Sequence, residues 1–385
     1  MTIVNFINSP TMTSTQLKTM ALGSVRFPDL LICPEQALNV SRAEELGLSY
    51  EALRHLDANV RSYSPWAYNR SLGKELHYFL ARNNWSLSEF FRMVGPQCYE
   101  HILGGSFNQQ LLSTAQLCRH IRSVILDIGK LCWLLPSLGV PILPGEDGAL
   151  KLSFAGLSRL RSPRDDAAQF LLAGLKIGIQ KFYHPLPLDL ISLPLKSASL
   201  ITIRESEHRL SNYYFWPALC KERSENNQLS NYELSWILCY APQMIESCGC
   251  VTLLDWERAV ELWSDEFGLK SGVRDCMPQD ADCVNAFFAA TASVSACQAG
   301  AEALPSCRRW SYESSLSQLL ILRPSSSQPA STELDDYTLL TIQFASFQQD
   351  GMLSSFGSRY GSKGTDAAQP TRAASEAAQV ESLLV

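Results

Sequence analysis

The chain has 385 residues, 46% of them hydrophobic and 18% charged, with a formal net charge of -6 and a pI near 5.6. It is long enough for two or three domains, or for one elaborated ectodomain with a sizeable core. The mild acidity excludes the basic face that nucleic-acid binding requires. Residues 1–26 are polar, rich in Thr and Ser, and read as extended. Val25–Pro34 reads as a short strand that ends at Cys33. Ser41-Arg42-Ala43-Glu44 has capping-box spacing and predicts a helix through Leu46, Leu53 and Leu56 to about residue 60. Ser86-Leu87-Ser88-Glu89 repeats that signature before Phe90, Phe91 and Val94. Residues 41–120 are therefore expected to be mainly helical, with Cys98 and Cys118 near the ends of one helical segment.

The middle turns to strands. One spans Ile125–Leu135, and Pro144–Gly148 is a turn cluster. Leu175, Ile177 and Ile179 alternate with Lys176, Gly178 and Gln180, the pattern of a half-buried strand that Pro185 and Pro187 end. Leu200–Ile203 predicts another strand. Asp255 can cap a helix that keeps Trp256, Ala259, Val260, Trp263 and Phe267 on one face and stops at Gly268. Cys283–Cys297 reads as a second helical stretch. Tyr337–Phe347 reads as a strand with Leu340, Ile342 and Phe344 on one face. From Gly351 the chain is rich in Ser, Gly, Ala and Gln, and residues 351–385 are expected to be disordered.

The twelve cysteines form an even set. Cys248-Gly249-Cys250 cannot readily bridge itself, because a disulfide holds its Cα atoms about 4.4–6.8 Å apart with converging Cβ vectors. Each of the two must reach a different partner, which makes staples across a helical pair. Three glycosylation sequons, at Asn39, Asn69 and Asn84, agree with an oxidising compartment. A zinc site using Cys276 and Cys283 is the alternative reading of those thiols, without the C-x2-C repeat or histidine pair that would support it.

Several segments carry a resemblance. Phe27-Pro28-Asp29-Leu30-Leu31-Ile32-Cys33, Gly129–Trp133, Ala173–Ile179, Arg209-Leu210 with Cys220, and Cys239 followed by Cys248-Gly249-Cys250 occur in a fixed order. Cys307, Tyr312, Leu316-Ser317 and Pro324-Ser325 close the run. Together they resemble the extracellular domain of the degenerin/epithelial sodium channel/acid-sensing ion channel family over about residues 25–350. The resemblance implies an α+β, disulfide-rich ectodomain with a mixed β core (palm and β-ball like) and peripheral helices (finger and thumb like). It implies a post-membrane linker at 1–26, an ectodomain at 27–350 with a finger-like part about 41–120 and a thumb-like part about 239–307, and a tail at 351–385. It implies the pairs Cys33–Cys132, Cys220–Cys307, Cys239–Cys297, Cys248–Cys283 and Cys250–Cys276, leaving Cys98–Cys118, whose spacing departs from the family's. Ser235 and Ala299 stand where two further family cysteines would bond each other, so one staple is dropped without an orphan thiol.

The implied function is that of a subunit of a homo- or heterotrimeric, ligand-, proton- or force-gated sodium channel at the plasma membrane, facing outward, with no cofactor. No stretch approaches the ~20 apolar residues of a membrane helix, and Met1–Leu17 lacks the pattern of a signal peptide. Arg359 and Lys363 lie where the family's Gly-x-Ser selectivity tract is expected. These gaps read as a channel subunit cut between its two membrane helices. The alternative is a soluble, non-conducting, disulfide-rich ectodomain that binds a partner. An enzyme is not indicated, since G-x-S-x-G, phosphate-loop and H-E-x-x-H motifs are missing. Proton sensing would need close carboxylate pairs. Asp165-Asp166 and Asp335-Asp336 read as solvated loops, and Glu257, Glu261, Asp265 and Glu266 as an exposed helix face. Tyr213, Tyr214 and Trp216 beside Cys220 suit either core packing or a contact between ectodomain and pore. The six histidines are scattered and read as surface or satisfied residues.

Overall fold

The computed structural model describes residues 11–19, 25–36, 38–62, 69–126, 130–137, 141–142, 145–160, 174–180, 190–210, 220–223, 232–252, 256–290, 304, 306–320, 337–345 and 348–356. The architecture is that of the unit Met12–Ser355. In chain order the elements are β1 (Thr11–Thr19), β2 (Asp29–Pro34), α1 (Val40–Glu45), α2 (Tyr50–Ser62), α3 (Arg70–Asn83), α4 (Leu87–Val94) and α5 (Cys98–His101). Next come β3 (Ile102–Phe107), β4 (Gln110–Ser113), α6 (Thr114–His120), β5 (Arg122–Leu126), β6 (Lys130–Leu135), β7 (Leu150–Phe154), β8 (Gly174–Gln180), β9 (Ile191–Pro194) and β10 (Ser197–Leu210). The last are α7 (Tyr232–Cys248), α8 (Trp256–Phe267), α9 (Ala281–Ala289), β11 (Arg308–Leu320), β12 (Thr338–Phe344) and β13 (Gln348–Phe356).

The fold is α+β, built on two sheets. The larger has eight strands in the order β1-β13-β10-β12-β7-β3-β4, with β11 on β10. The long strand β10 organises it. Antiparallel β11 follows one edge of β10 from Ser197 to Arg209. Parallel β12 takes Ala198–Ile203 on the other edge, and parallel β13 takes Ser206–Leu210. The smaller sheet is β5-β6-β2-β8-β9, antiparallel throughout.

Period-2 patterning explains how the two sheets share a core. Leu340, Ile342 and Phe344 of β12 are buried, and Thr341 and Gln343 alternate with them at partial exposure. They join Ile201, Leu152 and Phe154 of the larger sheet, and Leu30, Ile32, Trp133 and Ile177 of the smaller, in one cluster. Trp133 is fully buried and its Nε1 donates to the carbonyl of Pro96 at 3.0 Å, which satisfies the indole. On β8, Leu175 and Ile177 face this core, but Gly178 and Gln180 are buried too. The strand lies inside its sheet between β2 and β9 and is covered more fully than its alternation predicts.

A second cluster is helical. Leu53, Leu56, Leu76, Phe79, Phe90 and Phe91 from α2, α3 and α4 pack against Ile125 and Leu131 of the β5–β6 hairpin. Gly95 is required where the α4 end meets that hairpin: a Cβ there would lie 2.4 Å from Leu131 Cδ2 and 2.5 Å from the Phe91 carbonyl. The capping box at Ser86 and Glu89 is present in full. The one expected at Ser41 is not. Asn39 caps α1 instead, its Oδ1 accepting from the Arg42 amide at 3.1 Å. Gly47, at φ +93, stops that helix, so the segment breaks into α1 and α2.

Two further expectations are corrected. Residues 102–113 are a β-hairpin, not a continuation of helix, because Gly104-Gly105 and the alternation around them pair with β7. Gly351–Phe356 belong to β13, so the chain is ordered beyond Gly351, while residues 357–385 lie outside the described residues. Among the described residues no helix is long and apolar enough to cross a membrane.

Candidate functional site

The C-x-C segment determines the geometry of the stapled helices. Helix α7 ends at Cys248, Gly249 takes φ +65, and Cys250 points back into the lobe. Cys248 is bonded to Cys283 on α9, with Cα atoms 5.9 Å apart, and Cys250 to Cys276, 4.9 Å apart. Val251 then forms a short parallel bridge to Asp275, with Val251 N–H donating to the Arg274 carbonyl and Cys276 N–H to the Val251 carbonyl. Trp256, Ala259 and Trp263 of α8 pack on Tyr240, Ala241 and Met244 of α7. The Trp256 Nε1 donates to the Lys270 carbonyl at 2.7 Å. Cys239 is in a disulfide; its expected partner Cys297 lies outside the described residues.

This arrangement presents the loop Arg274–Asp280 to the helical cluster. Asp275 Oδ2 accepts from both the amide and the hydroxyl of Ser88, at 2.8 and 2.5 Å. Ser88 is on the first turn of α4, beside the capping box. Met277 packs against the helical cluster. Arg274 holds Asp280 with two bonds, at 2.6 and 3.0 Å, and Asp280 also accepts from the Met277 amide. That brace fixes the loop's shape, and Ser88 fixes its position. Burial pushes the Asp275 carboxyl above its ordinary value, and Glu89 adds to the rise, while the Ser88 hydrogen bonds and Arg92 oppose it. A hollow of about 310 Å3 beside it is lined by Glu89, Arg92, Trp256, Glu257 and Arg274. The junction between the two lobes therefore holds a half-buried acid, Asp275, two further carboxylates and two guanidiniums.

A second charged cluster lies at the end of the β10–β11 ladder. Glu207, only 6% exposed, accepts from Arg209 Nε at 2.7 Å and from Arg308 Nε. Burial alone would raise the Glu207 carboxyl; the two guanidiniums outweigh it and hold the group below its usual value. Arg308 also lies over the Trp310 ring, 5.0 Å from its centroid. Cys220–Cys307 closes the same end, where β13 joins β10.

The remaining cysteines and acids fall as follows. Cys33 bonds Cys132 across β2 and β6, and Cys98 bonds Cys118 around the β3–β4 hairpin. No cysteine among the described residues is free. Cys276 and Cys283 are oxidised and cannot serve as zinc thiolates, which removes that alternative. Among the described residues no cluster of three or more potential ligands could hold a metal. Glu257, Glu261 and Asp265 are exposed on α8, while the Glu266 side chain lies outside the described residues. Asp165-Asp166, Asp335-Asp336, Tyr213, Tyr214 and Trp216 also lie outside them. Of the sequons, Asn69 and Asn84 are exposed and Asn39 is half-buried. Asn69 Oδ1 accepts from the Ser71 amide and from its hydroxyl, capping α3.

Sequence reasoning missed Asp275. The one signal available was its place in Arg274-Asp275-Cys276, where a charged pair abuts a half-cystine that must be buried. Ser88 was read only as part of a capping signature.

Comparison with known proteins gives one family match. The model of the amiloride-sensitive sodium channel matches residues 1–355. No curated protein matches the chain. The matched residues include both sheets, the helical cluster and the stapled lobe. That family consists of membrane ion channels and not of enzymes. With the match extending over more than nine-tenths of its length, the chain belongs to the amiloride-sensitive sodium channel family.

Proposed function

We propose that this chain supplies the extracellular domain of a subunit of a trimeric sodium channel at the plasma membrane, gated by protons through the junction of its stapled and helical lobes. The observation that carries the proton reading is Asp275: a partly buried carboxyl with a raised pKa, bonded to Ser88 across two lobes. Mild acidification neutralises it before ordinary carboxylates, and the charge that Ser88, Arg92 and Arg274 face changes with it. The loop that moves is braced through Cys276 to the stapled helices. Sodium and related subunits are the partners, and nucleic acid is not.

The same reading includes the six-disulfide framework with Cys239–Cys297 and N-linked glycans at Asn39, Asn69 and Asn84. Attachment at the amide nitrogen leaves Asn39 and Asn69 Oδ1 free to keep capping their helices. Exposure favours Asn69 and Asn84 over Asn39.

The experiment is whole-cell recording from cells that express the chain with related subunits. The expected result is an amiloride-blockable sodium current that rises on acidification and whose pH midpoint moves to higher pH in Asp275→Asn, because the amide fixes the neutral form. A current with an unchanged pH midpoint overturns the role of the junction. An oligomer without current returns the non-conducting alternative. Non-reducing peptide mapping and enzymatic deglycosylation test the framework and the glycans.

A further inference from the structure

The hairpin β3–β4 builds a concave surface that none of the foregoing uses. It is closed at its base by the disulfide between Cys98 and Cys118, 20 residues apart in sequence. Register places one row of outward residues across four strands: Ser113, Gly104, Ser153 and Leu339. The next row is Leu111, Ser106, Lys151 and Thr341. The opposite side of the same strands carries the buried Leu152, Phe154 and Leu340. The outward face spans about three interstrand spacings, roughly 14 Å, with the small Gly104, Ser106, Ser113 and Ser153 as its floor between the larger Leu111, Lys151 and Leu339. Gly104 keeps it open at φ +149, where any side chain would be strained and its Cβ would lie 3.2 Å from the Leu112 carbonyl.

The rim is apolar. A β-bulge between Ile102 and Gly104 turns Leu103 outward, and Thr114 Oγ1 holds its carbonyl at 2.7 Å. Leu103 is 51% exposed and Leu111 86%, while Leu112 between the strands tucks toward the core. Tyr337 closes the far side and its hydroxyl bonds Ser153 Oγ at 3.2 Å. The trough has a volume of about 640 Å3, within the range of small-molecule sites, about 300–1,000 Å3. Lys151 is the one charged residue lining it and makes no ion pair with any described residue. The disulfide and the capping box at Ser113 and Gln116 hold the hairpin, so the exposed leucines are fixed in place.

We propose that this trough binds a monoanionic amphiphile, an apolar chain or ring system carrying one carboxylate, sulfate or phosphodiester group. The apolar body lies on the Gly–Ser floor between Leu111, Leu103 and Tyr337, and the head group pairs with Lys151. A cationic head would meet the lysine, and a second anionic charge would have no described partner.

The test is calorimetric titration of dodecanoate, below its micelle concentration, into the full chain secreted from an oxidising host. Saturable one-to-one binding is expected, about tenfold tighter than dodecanol and tighter still than dodecyltrimethylammonium. Lys151→Gln should bring dodecanoate down to the dodecanol affinity without changing dodecanol itself. Ser106→Phe fills the floor and should abolish both, with Cys98–Cys118 mapped to show that the hairpin is intact. If that variant fails to fold, Leu111→Ser at the exposed rim should weaken both ligands alike. No saturable binding, or equal binding by the parent, Lys151→Gln and Leu111→Ser, overturns the proposal. So does a self-association that Leu111→Ser abolishes while amphiphile binding stays unaffected, which would make the edge a protein contact. None of these readouts depends on current or on Asp275.

Discussion

The two helical lobes reach order by different means. The lobe of α1–α4 has no cysteine between Cys33 and Cys98. Among the described residues it relies on a cluster of sixteen buried apolar residues, two of them Ile125 and Leu131 of the β5–β6 hairpin, with Phe79, Phe90 and Phe91 in edge-to-face contact at 5.9 Å. Among the described residues the lobe of α7–α9 has a cluster of ten buried apolar residues, and Cys248–Cys283 and Cys250–Cys276 tie its helices and the loop between them. Those cross-links reduce the chain entropy of the unfolded state and so add to what burial supplies. The comparison teaches that the two lobes are held by different means. Apolar packing fixes one lobe to the sheets, and the Asp275–Ser88 hydrogen bonds together with Met277, packed on the helical cluster, join the other to it.

The largest expected effect breaks the packed lobe. Phe90 is fully buried, so Phe90→Ala should cost about 3–5 kcal/mol, read as a lowered urea midpoint with loss of amide protection over α2–α4. Removing the Cys250–Cys276 staple by replacing both residues with Ser should cost about 3 kcal/mol. Its loss of hydrogen-exchange protection should be confined to α7–α9, leaving α2–α4 unchanged. Loss of protection in both lobes together would show one cooperative unit and end the comparison. Next, Ser88→Ala removes the hydroxyl donor to Asp275 and keeps the amide donor, and should cost about 1–2 kcal/mol, detected as faster cleavage by protease at the Arg274–Asp280 loop.

Smaller effects come from titration, and they have opposite signs in the two places. The Asp275 carboxyl is raised, so the folded state binds its proton more readily than the unfolded chain. Its contribution is fully present below the ordinary carboxylate range and is lost as pH rises through the raised value. His55 is lowered by burial, and its Nε2 accepts from the Asn69 amide at 3.2 Å. Its contribution is present above the ordinary histidine range and is lost as pH falls through the lowered value. Acid should therefore tighten the junction while it loosens the α2–α3 contact. Asp275→Asn and His55→Gln should each flatten one limb of stability against pH, measured by urea midpoints from pH 4 to pH 8. If both substitutions flatten the same limb, the assignment of the two groups is wrong.

Much of the fold was legible in local chemistry. The Ser86–Glu89 box, the Gly268 stop at φ +64 and the alternation of Leu340, Ile342 and Phe344 are one-dimensional signals, and each forms the element it predicts. The misreadings share a cause. Asn39 displaced Ser41 as a cap, Gly47 split a helix, and residues 102–113 left the helical pattern for a place beside β7. In each case a backbone partner distant in sequence, or one left-handed glycine, outweighed propensity. Gly351–Phe356 depart from expectation in the same way, since their composition says nothing of an open β10 edge at Ser206–Leu210.

The sequence by itself determined the family, the α+β class and the need for Cys248 and Cys250 to find separate partners, because spacing, composition and bond geometry are local properties. Only the tertiary structure decided that Asp275 meets Ser88, 187 residues away, that Glu207 sits between two arginines, and that Gly104 and Lys151 share one trough. Burial and pairing across that separation set the electrostatics of those groups, and neither is written in any single stretch of chain.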